Sequence, residues 1–203
     1  MKSRKLKQGE QIAARLIADS GLGDKGAEMT FENFEGDAGG AVDDVTVWVE
    51  SVSKSFFKRL NLEKNGLFLF GETGVGKTHL ACAATNVLLG KGIFCKKIRM
   101  IDIPRNDQEA VEVLADWKKT PVLFLDDFGA EKWTPRMLEI IYFLIEHRLW
   151  DCAPVIITSN FAPKALARQI DNASDGEGGR IVGRIREMGV MVPVIGENRR
   201  ESL

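Results

Sequence analysis

Eight consecutive residues limit this chain more than any others: Gly71-Glu72-Thr73-Gly74-Val75-Gly76-Lys77-Thr78 matches the pattern G-x-x-x-x-G-K-[ST]. Ahead of them, after Asn65-Gly66, the run Leu67-Phe68-Leu69-Phe70 is short, apolar and turn-bounded, as a buried parallel strand is. Behind them, the stretch from about Lys77 to Leu89 reads as a helix stopped by Gly90. A glycine loop between strand and helix turns successive backbone N–H groups, and the positive end of the helix, toward phosphate oxygens. Lys77, expected to project from the loop surface, would reach the β- and γ-phosphates, and Thr78 would offer its hydroxyl to magnesium. ATP and Mg2+ are therefore the expected ligands.

Magnesium also needs a carboxylate at the end of a neighbouring strand, and Val122-Leu123-Phe124-Leu125-Asp126-Asp127 provides two where open parallel sheets place their ligands. Asp126 is expected to hold the metal with Thr78, and Asp127 to orient or deprotonate the attacking water, with Glu131 next in line. Val155-Ile156-Ile157-Thr158-Ser159-Asn160 is another apolar strand with a polar end, and puts Asn160 within the same edge as a water or γ-phosphate contact. Further on, Gly178 to Arg186 follows a polar glycine-containing loop; if it is helical, Arg180 and Arg184 share a face. An arginine so presented can neutralise charge in phosphoryl transfer, or simply line a solvated basic helix.

The remaining pattern alternates strands and helices. Runs at Ile93–Ile98 and Val190–Ile195 read as strands, and about Gln108–Lys118 and Pro135–Trp150 as helices, the second capped by Thr134. This predicts a parallel sheet covered on both faces. A helix is expected from the stripe Val45, Trp48, Val49, Val52, Phe56 and Leu60. Phe31 and Phe34, bracketed by glycine-containing stretches, suggest a loop pinned on the core. With 203 residues, 44% of them hydrophobic, one domain is expected: a basic amphipathic arm over 1–29 (Lys2, Arg4, Lys5 and Lys7 ahead of Ile12, Leu16 and Ile17), then a core over 30–203. The 28 basic and 29 acidic residues nearly cancel, which excludes a global field that steers nucleic acid or membrane. Cys82, Cys95 and Cys152 have neither the number nor the spacing of a disulfide framework or zinc site. No apolar run reaches the roughly 18 residues of a membrane span, and a cytoplasmic protein is expected.

Taken together, Phe31-Glu32-Asn33-Phe34, Gly74-Val75-Gly76-Lys77-Thr78-His79-Leu80-Ala81, Leu125-Asp126-Asp127-Phe128-Gly129-Ala130-Glu131 and Ile157-Thr158-Ser159-Asn160 resemble the AAA+ ATPases, and within them the DnaC/DnaI helicase-loader and IstB-like group. The resemblance covers about residues 30–200. It implies an α/β P-loop NTPase fold, a three-layer sandwich with a parallel sheet flanked by helices. It also implies Mg-dependent ATP hydrolysis, with His79 joining the nucleotide-binding set, Asn160 as sensor 1 and Arg184 as the arginine finger, Arg180 or Arg200 being the alternatives. Implied partners are a replicative DNA helicase, single-stranded DNA and further copies of the chain in the ATP state, with Lys96, Lys97, Arg99 and Arg105 as candidate DNA contacts. An IstB-like transposition accessory ATPase on double-stranded DNA is the alternative, and a P-loop small-molecule kinase a more distant one. The resemblance departs at Asp127, where most AAA+ proteins carry glutamate, so slow hydrolysis is expected.

Overall fold

All the apolar runs read as strands pair into one sheet. In the computed structural model, which describes residues 2–35, 39–103, 107–174 and 176–199, β1 (Gly66–Phe70), β2 (Cys95–Arg99), β3 (Val122–Asp126), β4 (Val155–Ser159) and β5 (Gly189–Pro193) are parallel in the order β2-β3-β4-β1-β5. Leu69 lies opposite Thr158, and Arg99 opposite Asp126. The C-terminal ends of β1, β3 and β4 are thus brought side by side, and the loops that leave them form one edge.

Two apolar layers sandwich the sheet. On one face pack α1 (Lys2–Asp19), α2 (Gly23–Ala27), α3 (Ala41–Lys58) and α4 (Lys77–Gly90); on the other α5 (Asp107–Lys119), α6 (Pro135–Trp150), α7 (Pro163–Asp171) and α8 (Glu177–Met188). β3 shows why its run is apolar throughout: Phe124 enters the first layer, Leu123 and Leu125 the second. Each such side chain, fully buried, contributes roughly 1.5–3 kcal/mol. α4 lies between the sheet and the outer helices, so Leu80, Ala81, Cys82, Ala83, Ala84, Leu88 and Leu89 are all buried, and its alanines permit close approach. Burial raises the Cys82 thiol to about 11 and that of Cys95 further, as befits small apolar residues. The Thr134 hydroxyl accepts the Met137 N–H at 3.2 Å, with Pro135 in the first turn of α6.

Two segments depart from the reading. α7 falls in a polar stretch to which the sequence pattern assigns no element; only Leu166 and Ile170, one turn apart, are buried, too little apolar signal to stand out. The N-terminal segment, expected as an arm, is laid on the core from Leu16 onward. Leu22 is buried, the Ser20 carbonyl accepts the Lys97 N–H at 2.7 Å, and Asn86 Nδ2 donates to the carbonyls of Gly26 and Met29. The side chains of Lys2, Arg4, Lys5 and Lys7 lie outside the described part. Among the described residues, no helix is long and apolar enough to cross a membrane.

Candidate functional site

The phosphate loop leaves β1 and enters α4 through glycines that no other residue replaces without conflict. Gly76 has φ 103°, and a Cβ there would stand 2.6 Å from the Phe34 ring; a Cβ on Gly71 would strike the Val194 carbonyl. Val75 is buried and anchors the loop, while Glu72 and Thr73 are exposed. Lys77 is not the surface residue expected from the sequence. Only 5% exposed, it folds back so that Nζ donates to the Glu72 carbonyl at 2.6 Å, closing the loop around its own ammonium.

Asp126 is the hub. Its Oδ1 accepts from the Thr78 hydroxyl at 3.1 Å and from the Thr158 hydroxyl at 2.7 Å, while Oδ2 pairs with Lys97 Nζ at 2.8 Å. Thr158 also accepts the Asp127 N–H at 3.0 Å, so one buried hydroxyl on β4 orients both acidic residues of β3. Asp127 needs that support because it sits at φ 57°, in the left-handed region that Asp tolerates better than most residues. Its side chain is exposed at the sheet edge. Asn160 is also exposed, one residue past β4. The oxygens of Thr78 and Asp126 meet at the N-terminus of α4, beside the glycine loop. Hard oxygen donors of this kind suit Mg2+, which takes few protein ligands and completes its shell with phosphate and water. Among the described residues, no group of three or more His, Cys, Asp or Glu is placed to hold a metal ion.

His79 Nε2 lies 2.8 Å from the Thr30 carbonyl and meets the Phe34 ring edge-on, tying the Thr30–Phe34 loop to the first turn of α4. Arg199 covers the other side of this wall, its guanidinium 4.5 Å from the Phe34 ring centre and its backbone N–H donating to the Gly74 carbonyl at 3.4 Å. Beyond Asp126 and Asp127 opens a cleft of about 850 Å3, lined among others by Arg99, Ile101, Glu131, Arg136 and Met137. Glu131 Oε1 accepts the Gly129 N–H at 3.3 Å, whereas Oε2 is buried without a hydrogen-bond partner among the described residues. Burial raises this carboxyl to about 7, against the pull of nearby backbone N–H groups.

The arginines and lysines divide. Arg184 pairs with Glu146 and Glu187, both at 2.8 Å, and Arg180 pairs with Glu177 and covers the Tyr142 ring; both stand on α8, away from the phosphate loop's own contacts. Of the candidate DNA contacts, Lys97 is turned inward onto Asp126, Lys96 donates to the Asp19 carbonyl, and Arg99 pairs with Asp102 at the cleft mouth. Arg105 and Arg200 lie outside the described residues. Thr158 and Lys97 are the residues that sequence reasoning undervalued.

A family model described as IstB-like ATP binding protein matches residues 28–198. The replicative helicase loader DnaI of Bacillus subtilis is 34% identical over 147 residues, 66% of this chain and 47% of that protein. A putative ATP-binding protein of insertion sequence IS5376 from Geobacillus stearothermophilus is 32% identical over 160 residues, 76% of this chain and 57% of that one. The chain thus spans about half the length of these curated relatives. Among solved structures, a crystal structure of DnaI superposes with a TM-score of 0.68 at 26% identity, covering 87% of this chain and 93% of that one.

Proposed function

Since the chain belongs to the family of IstB-like ATP binding proteins, we propose that it binds Mg-ATP through Gly71–Thr78, hydrolyses it as an oligomer, and acts in DNA replication as a loader of, or factor acting on, a replicative helicase. The observation that carries the reading is the meeting of Thr78, Thr158 and Asp126 at the mouth of a glycine loop that already encloses Lys77. Backbone N–H groups of the loop and the Lys77 ammonium hold the phosphates, and the Thr30–Phe34 wall, braced by His79, flanks the loop. Thr78 and Asp126 would hold Mg2+, which would supply charge neutralisation for phosphoryl transfer.

Asp127 accepts a proton from, or orients, the attacking water, and Thr158 fixes its backbone for that role. Asn160, next along the edge, orients the same water. Arg184 acts on the nucleotide of a neighbouring copy, exchanging its partners Glu146 and Glu187 for phosphate. Lys97 drops out as a DNA contact, leaving Lys96, Arg99 and Arg105 for single-stranded DNA.

The likeness to DnaI supports the helicase-loader role. The likeness to the insertion-sequence protein supports a second reading, an accessory ATPase of transposition on double-stranded DNA. Binding of the replicative helicase from the source organism, with fluorescence anisotropy on single- and double-stranded oligonucleotides in the presence of ATP, separates them. The loader reading predicts a helicase complex and preference for the single strand. No helicase complex, with ATP-dependent binding to duplex, would overturn it.

A further inference from the structure

β2, the edge strand of the sheet, carries a lysine whose side chain is turned inward onto β3. Cys95 and Ile98 go into the two apolar layers, but Lys97, opposite Phe124, extends its stem along the strand toward the end of β3. Its Nζ lies 5.3 Å from the centre of the Phe124 ring and 2.8 Å from Asp126 Oδ2. The two side chains are only 14% and 8% exposed, so little water screens the pair. Both hydroxyls on Asp126 use Oδ1, which leaves Oδ2 to the ammonium.

We propose that Lys97 is a built-in counter-cation for the metal carboxylate, so that Mg2+ takes its place at Asp126 in competition with the Lys97 ammonium. The proposal rests on the Mg-ATP reading above and deepens it. Two consequences follow from the one contact. A divalent ion drawn to Thr78 and Asp126 approaches a fixed positive charge, which weakens its binding. A triphosphate approaching the loop meets an already neutralised carboxylate, so nucleotide binding retains much of its strength without any divalent ion. Lys97 is a positioning residue: it acts through Asp126.

The test uses the full chain, a fluorescent ATP analogue, and Mn2+ followed by electron paramagnetic resonance as the metal probe. Lys97→Met, which keeps the stem and removes the charge, should lower the Mn2+ concentration for half-occupancy of the nucleotide complex about tenfold, and should weaken nucleotide binding in EDTA by a similar factor. Lys97→Arg, which keeps the charge, should follow the parent. An unchanged Mn2+ midpoint in a folded Lys97→Met would overturn the proposal. Should Lys97→Met fail to fold, the parent labelled with 15N-lysine decides. The Lys97 ammonium signal should shift when Mg2+ is added to the nucleotide complex, and a signal that stays in place would overturn the proposal equally. Nucleotide binding with an unmoved metal midpoint defeats this inference alone; a parent that binds no nucleotide with or without metal defeats the Mg-ATP reading and the inference with it.

Discussion

Two cations, the buried Arg148 and the half-buried Lys97, stand at opposite ends of the same sheet, and they are satisfied by different chemistry. At the N-terminal edge Arg148, 0% exposed, donates to the carbonyls of Trp117, Thr120, Pro121 and Pro154, stitching together the starts of β3 and β4. Asn65 adds bonds to the carbonyls of Arg148 and Ala153. At the C-terminal edge Lys97 neutralises a single carboxylate that magnesium would also claim. The Trp117 and Pro154 carbonyls also accept the N–H groups of Thr120 and Leu123, so Arg148 is tied into the backbone hydrogen-bond network and this end is locked. Asp126 keeps hydroxyls, an ammonium and a prospective metal in exchange, so the Lys97 end can rearrange. The same fold thus has a structural end and a chemical end, and the difference lies in what the charge is held by.

Breaking the locked end should have the larger effect. Burial lowers the Arg148 guanidinium to about 10, which is still charged at neutral pH, and Arg148→Met would remove one donor from each of four carbonyls, leaving those of Trp117 and Pro154 a backbone N–H each. A loss of about 3 kcal/mol or more is expected in urea denaturation, with nucleotide affinity of the folded fraction unchanged. A loss under about 1 kcal/mol would show that the carbonyls find water and that the end is not locked.

A smaller effect is expected at the chemical end, where Glu131 is half-buried and its Oε2 has no hydrogen-bond partner among the described residues. Its folded value of about 7 exceeds the ordinary 4.5. Between those values the folded protein keeps a proton that the unfolded chain has released, so stability falls as pH rises through the window and levels off above about pH 7. Glu131→Gln should flatten that decline and gain about 1 kcal/mol at pH 8, the figure being reduced for partial exposure. Parallel stability–pH curves for the parent and Glu131→Gln would show that this carboxyl ionises normally in the folded state.

What could be read from the sequence follows the same division. The strand ends Asp126, Asp127 and Asn160 and the loop Gly71–Thr78 were legible because apolar runs, glycines and polar termini occur in one local window each. The expected sheet with helices on both faces forms, with strand boundaries shifted by up to two residues. Arg148 was not legible: in the sequence it is one more basic residue in the last turn of α6, and its role exists only where the β3 and β4 starts meet. Lys97 and Thr158 were hidden for a related reason. Their partners are fixed by parallel register and side-chain reach between strands distant in sequence, which no local pattern encodes. Lys77 was placed correctly in sequence but not in depth, since only the folded loop brings the Glu72 carbonyl under its ammonium.

Under the proposed function, Gly71–Thr78 holds ATP through Lys77. Isothermal titration calorimetry of ATP with Mg2+ into the parent and into Lys77→Met, with circular dichroism on both, tests it most directly. Methionine suits the comparison because the side chain is 5% exposed and its stem occupies space that alanine would leave empty. Saturable binding to the parent is expected, with a loss of about 100-fold in affinity on removing this charged donor from the phosphates and an unchanged dichroism spectrum. Equal ATP affinity in a folded Lys77→Met, or a folded parent that takes up no ATP, would contradict it.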